Sequence, residues 1–490
     1  MGIIEKQAIK GTAWSYMGVL LGFITTGILL PRILSTEENG LLKLLVAYSA
    51  LFGQFAGLGF NRVTTMLFTY FRDKEKKHNG FLFLAIMVAA VGFVVSILLL
   101  ILLKTLIIGK EQSALFTEYF YYIIPLIVVV LLFTVFDGYY KVLYNAVIGT
   151  VLKEFIQRLV ILLAIVLLYF KLVDFHGFII LYIIAFTIPT LILMFSLMRE
   201  GHFSLRPQLG FLTRTFSKKI ASVSFFGILT SFSGKLGLNI DSIMINSIIG
   251  ISQTGIYAIT YFFGSIILIP ARAITKISGV VIADSWKHND LDNINQIYYK
   301  SCLNQFIFAM LLFIGIWANI HNVFRILPDE YLPGKFVILF IAIGSVIQML
   351  GGMNSSIISL SKYYKVQTYF MMFLVALLIV TNVVLIPKYG IIGAAMASVI
   401  SNLVFNIIKF LFLWIKFGFQ PYNYKFILIL AFAALAFMAG YLIPVMDSLV
   451  LDILIRSSVI AIIFGTFILL FRISDEISNK FLALMALVRK

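Results

Sequence analysis

Apolar runs of about twenty residues recur along nearly all of the 490-residue chain, separated by short charged stretches. A helix rises about 1.5 Å per residue, so each run is long enough to cross the roughly 30 Å hydrocarbon core of a bilayer. Backbone amides surrounded by lipid must pair within their own segment or around a closed barrel. A barrel shows segments of roughly ten residues with alternating polarity, and the sequence has no such alternation. Only 12% of the residues are Asp, Glu, Lys or Arg. The chain therefore reads as an all-α polytopic membrane protein, nearly all of it inside the bilayer.

The runs give fourteen expected spans: 8–30, 41–62, 81–104, 119–143, 151–170, 177–198, 218–245, 254–281, 300–324, 335–360, 366–387, 390–415, 424–445 and 449–471. An even count puts both termini on one side. Positively charged loops are retained in the cytoplasm. With the N-terminus inside, the inside segments hold 26 Lys and Arg and the outside segments eight. Lys43 falls among the outside eight; Lys153, Arg158 and Lys409 fall among the inside group. The formal net charge of +17 follows from this asymmetry together with attraction to anionic lipid. The bilayer is the partner it implies, and no nucleic acid is needed. Cys302, the only cysteine, excludes disulfides within the chain and cysteine-based metal sites; no cofactor is expected. Residues 8–30 are too long for the apolar core of a cleaved signal and lack a small-residue cleavage site, so the first span is the expected targeting signal.

The chain also repeats itself. Residues 33–45 (ILSTEENGLLKLL) match 248–260 (IIGISQTGIYAIT), pairing Gly40 with Gly255 at an offset of 215. Residues 175–180 (FHGFII) match 387–392 (PKYGII), pairing Gly177 with Gly390 at an offset of 213. Two units of six helices, an even number, insert the same way up around an axis along the membrane normal, the arrangement of parallel-repeat transporters with a site between two lobes. The expected domains are an N-lobe at 1–200, a cytoplasmic linker at 201–217, a C-lobe at 218–418, and two extra helices with a tail at 419–490.

The segment Asn382-Val383-Val384-Leu385-Ile386-Pro387-Lys388-Tyr389-Gly390-Ile391-Ile392-Gly393-Ala394-Ala395 resembles the "N..LIP.yGi.GAA" signature of polysaccharide flippases. These belong to the multidrug, oligosaccharidyl-lipid and polysaccharide exporter superfamily. Asp241 followed by Gly255 and Tyr257, and Arg32 and Gly40 around the first outer loop, support the resemblance over roughly residues 1–415. It implies a bacterial inner-membrane protein that moves a polyprenyl-diphosphate-linked oligosaccharide to the periplasmic face by alternating access. A glycan polymerase and other surface-polysaccharide assembly proteins are the further partners implied. Physically, Pro387 ends a helix, Gly390 turns the chain, and Gly393-Ala394-Ala395 lets the next helix pack closely.

Charges at membrane depth cost about 2.5 to 3.5 kcal/mol on insertion scales, so they face protein or water. Lys235 sits near the middle of the seventh span, where an ammonium would hold a diphosphate or form an ion pair with a lobe carboxylate. Asp241, about 9 Å further along the helix and about 120° around it, does not simply pair with Lys235. It is a candidate for ion coupling or for capping a broken helix before Asn246. Arg272 follows Pro270, which favours a kink. Arg272 and Arg62 are read as a basic cytoplasmic vestibule for the headgroup, or as interfacial anchors. Gln348, among Gly344, Gly351 and Ser355, is a candidate for sugar hydroxyls, and Arg32 completes the substrate-binding set on the strength of the resemblance. Lys276 and Arg456 lie near span ends, where long basic side chains reach the interface; replacing either with Gln is expected to be nearly silent. Asp137 and Lys141 have the spacing of a local ion pair. Ser15, Gly18, Gly22 and Thr25 form a small-residue face suited to close helix packing.

Two other functions compete. A glycan polymerase or membrane glycosyltransferase would share the location, and Asp290-Leu291-Asp292 spells a metal-binding DxD. The expected loop around it has only about eighteen residues, and no α/β domain adjoins it; HExxH, Walker A and GxSxG motifs are missing. A cation- or proton-coupled multidrug antiporter of the same superfamily is the nearer alternative. The first span here has no acidic residue, and basic residues dominate the interior positions, which suits an anionic headgroup better than a cationic drug.

Overall fold

The computed structural model describes residues 3–73, 75–108, 113–143, 147–207, 210, 212–479 and 481. Every regular element among them is helical. Eleven helices of the described residues are long and apolar enough to cross a membrane, or twelve when one bent pair counts as a single crossing. The side chain of Lys276 lies outside the described residues. The chain divides into two compact units, Met1–Ala258 with Met371–Pro387, and Ile259–Phe370 with Lys388–Lys490.

The first unit opens with α1 (Ile3–Gly22), a π-helical stretch at Phe23–Leu29, and α2 (Leu30–Ile33). Ser35 then starts α3 (Thr36–Ala56) with a capping box: its hydroxyl accepts from the Glu38 amide while the Glu38 carboxylate reaches back. The helix thus begins ahead of the expected span at 41, because the cap, and not hydropathy, sets its first turn. Lys43 lies inside α3, which corrects its assignment to an outside loop. Gly59, in the left-handed region at φ 69°, then bends the chain by 41° into α4 (Phe60–Phe71).

The unit continues through α5 (Phe81–Leu102), α6 (Ile123–Val142), α7 (Gln157–Tyr169), α8 (Phe175–Arg199), α9 (Arg214–Ile249) and the start of α10 (Ile251–Ser265). Helix α5 shows how spans are sorted. Ala85, Ala89, Gly92 and Ser96 form its buried stripe, while Val91, Val94, Leu98 and Leu102 are exposed. A Cβ on Gly92 would stand 2.0 Å from the Ala56 carbonyl oxygen, and Ser96 donates to the Phe52 carbonyl at 2.9 Å. Small residues bring α5 onto α3, where dispersion and a hydrogen bond replace the absent hydrophobic drive. Buried aromatics complete the core, including Phe68, Phe71, Phe81, Tyr139 and Tyr140.

Gly18 and Gly22 pack as their spacing predicts. A Cβ on Gly18 would meet the Glu154 carbonyl at 2.3 Å, and the Arg158 guanidinium lies over Gly22. Their partner is another π-helical turn, Leu152–Ile156, just ahead of α7. Gly40 and Gly255 lie at another close helix crossing. A Cβ on Gly255 would stand 1.8 Å from the Thr36 carbonyl and 2.9 Å from the Gly40 amide, while one on Gly40 would stand 2.2 Å from the Ile251 carbonyl. Thr36 and Ser252 share a hydroxyl hydrogen bond of 2.7 Å.

In the second unit a 3-10 turn at Ile266–Leu268 precedes α11 (Ile269–Lys287), which carries Pro270 in its first turn. Next come α12 (Leu291–Ala318), α13 (Ile320–Ile326), α14 (Lys335–Leu350) and α15 (Asn354–Leu360). Asp290 is the N-cap of α12, accepting from the Asn293 amide at 3.0 Å. The DxD carboxylate is thus used locally. Helix α16 (Tyr364–Phe417) runs 54 residues but is broken at Gly390, φ 58° and ψ −139°. Ala394 and Ala395 beyond it are fully buried. The unit closes with α17 (Tyr424–Tyr441) and α18 (Leu449–Leu470), whose Phe432 and Phe464 join the core formed with Tyr298, Cys302 and Phe306.

Candidate functional site

Polar side chains inside the spans of the first unit form two groups. The first centres on Asp241, 7% exposed on α9. Tyr257 Oη donates to its Oδ2 and Asn382 Nδ2 to its Oδ1, both at 2.8 Å. The ammonium of Lys43 acts on it electrostatically and donates to Asn239 Oδ1 at 3.2 Å. Asn239 Nδ2 in turn donates to the Lys235 carbonyl at 3.0 Å. Helix α9 runs unbroken through this region, so Asp241 caps no helix end. Its carboxylate instead ties together α9, α10 and residues 371–387.

The second group surrounds the π turn at Leu152–Ile156, which carries Lys153 and Glu154. Lys153 is exposed and lies over the Phe133 ring, 5.5 Å from its centroid. Lys235, Glu154, Asp137 and Lys141 all act on it electrostatically. Glu154 pairs with Arg158 at 3.0 Å. Lys141 pairs with Asp137 at the expected spacing, and Arg158 also donates to the Gly18 carbonyl. Lys235 is half-buried on α9. Arg62, at the start of α4, donates to Thr230 Oγ1 on α9 at 3.2 Å. Arg32 is exposed at the end of α2.

Arg272 and Gln348 belong to the second unit. Both are exposed, Arg272 in the first turn of α11 and Gln348 in the last turn of α14. Of the sequence candidates, the first unit therefore holds Arg32, Arg62, Lys235 and Asp241. Lys235 and Asp241 both have neighbours in the Lys43–Asn239 chain, while Arg62 contacts α9 separately.

The second unit holds two charged centres that hydropathy hid. Lys409 is 3% exposed inside α16, donates to Ser355 Oγ at 3.0 Å and lies 3.9 Å from the Phe405 ring centroid; it is no loop residue. Arg456 is 2% exposed and pairs at 2.7 Å with Asp452, itself fully buried. Arg456 also donates to the Gly440 carbonyl at 2.6 Å and the Ile443 carbonyl at 3.0 Å. Asp452 accepts from Asn322 at 2.6 Å and contacts His321. This overturns the reading of Arg456 as an interfacial side chain: its partners lie within the protein. A signal for it was present in the sequence, since Asp452 and Arg456 are four apart on one helix face.

This all-helical architecture, with charges held among its spans, is shared with solved structures of membrane proteins. The lipid II flippase MurJ in its inward closed conformation is similar with a TM-score of 0.76 and 15% identity, over 94% of this chain and 98% of that one. An inward-facing multidrug resistance MATE transporter of the MOP superfamily gives 0.65 and 12% identity, over 84% and 98%. A MOP superfamily transporter from Pyrococcus furiosus, described as having a binding pocket of reverse polarity, gives 0.53 and 13%, over 85% and 96%. These likenesses define the fold. No curated protein matches the chain. The chain belongs to the polysaccharide biosynthesis protein family, whose model matches residues 8–282.

Proposed function

We infer that this protein is a flippase that carries a polyprenyl-diphosphate-linked oligosaccharide from the cytoplasmic to the periplasmic leaflet of a bacterial inner membrane. The family match over residues 8–282 carries the reading, and the similarity of fold to a lipid II flippase supports it. The polyprenyl tail gains about 0.8 kcal/mol per methylene from remaining in hydrocarbon. Only the headgroup therefore crosses through the protein, and the tail needs a lateral opening between two lobes, 1–200 and 218–418. Lys235, Arg272 and Arg62 are assigned to the diphosphate, Gln348 to sugar hydroxyls, and Arg32 to the outer end of the path. Asp241 is assigned to the joint it makes with Tyr257 and Asn382.

The chain crosses the membrane fourteen times in this reading, with both termini inside. A 54-residue helix is about 80 Å long, far more than one bilayer, and its break at Gly390 supports two crossings. Residues 148–169, helical through a π turn, supply another. A multidrug antiporter of the same superfamily is disfavoured by the lysines and arginines inside the first unit.

Deleting the gene tests the function. Lipid-linked oligosaccharide is expected to accumulate on the cytoplasmic leaflet, detected by mass spectrometry after leaflet-selective labelling. The native gene should clear it, and the Lys235→Ala, Arg272→Ala double variant should fail to do so while inserting normally. An unchanged lipid profile in the deletion strain would refute the reading.

A further inference from the structure

We propose that His78 is a proton-sensitive latch on the turn that joins α4 to α5: its neutral imidazole holds the turn shut, and a proton opens it. The inference is independent of the flippase reading above. Four consecutive residues, Lys77, His78, Asn79 and Gly80, have positive φ of 51°, 54°, 48° and 66°. Only the last is a glycine, and a left-handed run of other residues crowds each Cβ against the following carbonyl. Strain of this kind persists only where the surroundings over-determine it, and it clusters at switch regions. Asn79 supplies one hold, donating from Nδ2 to the Phe71 carbonyl at the end of α4, 3.1 Å away. The His78 amide supplies another, donating to the Asp73 carbonyl at 2.7 Å. The third is the His78 ring, 3% exposed. Its centroid lies 5.4 Å from that of Phe68 on α4, 6.2 Å from Tyr139 on α6 and 5.9 Å from His202 just past α8. Tyr139 Oη donates to the His202 carbonyl at 3.4 Å, which ties two walls of this cage together.

Burial makes the latch respond to protons. A neutral imidazole packs on aromatic walls at little cost, whereas an imidazolium there loses its water, and attraction to the ring faces recovers only part of that loss. The charged groups around the turn are Arg72, Asp73, Glu75, Lys76 and Lys77 beside it in the chain, Asp137 and Lys141 on α6, and Arg199 and Glu200 at the end of α8. Helix α5 contributes none. Arg72 lies over the Phe68 ring, Asp73 Oδ1 accepts from the Lys76 amide, and Asp137 pairs with Lys141. Cations and carboxylates are nearly equal in number and most are exposed, where salt screens them. Burial therefore decides the sign. The closed turn excludes the proton, and the opened turn, with its imidazole hydrated, takes one up near the ordinary value of about 6.5. The turn is held shut above that pH and released as the pH falls below it. Uptake of one proton on opening makes opening about tenfold more favourable at pH 5.5 than at pH 7.5.

Hydrogen–deuterium exchange with mass spectrometry on the full-length protein in nanodiscs, at pH 7.5 and 5.5 and corrected for intrinsic exchange, tests the latch. Amides of residues 75–80 are expected to lose roughly tenfold in protection at the lower pH, while residues 85–96 of α5 keep theirs. His78→Asn removes the titrating ring and leaves a residue that tolerates the left-handed region; its protection should be the same at both pH values. His202→Gln should keep the native response. Equal protection of the native turn at both pH values, or a response that survives His78→Asn, overturns the latch. A response lost in His202→Gln but kept in His78→Asn assigns the proton to His202 and overturns it too. The native comparison needs no variant, so it decides the matter even where His78→Asn fails to fold.

Discussion

Arg456 and Asp452 show how a charge in a span is decided by what surrounds it. The arginine is 2% exposed and donates to three carbonyl oxygens and a fully buried carboxylate. Removing one partner of a buried ion pair strands the other, at a cost of about 3–5 kcal/mol. Arg456→Gln is therefore expected to lower the melting temperature in detergent markedly, the reverse of the near-silent outcome that span-end position suggests. Adding Asp452→Asn should recover part of the loss, because the stranded charge is then gone. A single Arg456→Gln variant with native melting behaviour would show the pair to be unimportant. The pairing of Asp137 with Lys141 was legible because both partners lie one turn apart. The hydrogen bonds of Lys43 to Asn239 and of Lys409 to Ser355 were not. Their partners are far away in sequence, and a count of loop charges assigns such lysines to topology alone.

At the scale of the helices, glycine marks both breaks and crossings, for different reasons. Gly390 adopts φ 58° and ψ −139°, a region open to little besides glycine, with open space around the position of a Cβ. Gly390→Ala should therefore cost about 1–3 kcal/mol through backbone strain alone. Gly255 sits in an ordinary helix, but a side chain there would drive into the Thr36 carbonyl. Gly255→Leu should separate α3 from α10. A disulfide between Thr36→Cys and Ser252→Cys, whose native hydroxyls are 2.7 Å apart, should form readily in the native background and poorly beside Gly255→Leu. Equal cross-linking in both backgrounds would mean that the glycine contact does not hold these helices together. Hydropathy gave fourteen spans where eleven or twelve helices of the described residues are long and apolar enough to cross, and it misplaced ends such as that of α3. Averaging over a window discounts a charged first turn, whereas Ser35 and Glu38 fix the start through hydrogen bonds.

For the molecule as a whole, the inside-to-outside ratio of basic residues predicts orientation. Cys302 is buried, so single cysteines can be added to the native chain without a reactive background. Cysteines replacing Glu37 and Val445 should react with a membrane-impermeant thiol reagent applied from the periplasm. Those replacing Lys76 and Asp475 should react only after the membrane is opened. All four positions are exposed. The opposite labelling pattern would reverse the topology.

The sequence by itself determined the helical membrane class and the family, because each rests on a property that accumulates along the chain. Apolar length must match the bilayer wherever a span occurs. Only the tertiary structure decided which charges are buried together. That depends on side-chain direction around each helix, and a π turn such as Leu152–Ile156 changes it without any mark in hydropathy. It also depends on which distant helices touch, as when Tyr257 and Asn382 converge on Asp241. In a bilayer the strong polar interactions are few and their partners far apart in sequence, so their pairing becomes visible only once the helices have packed.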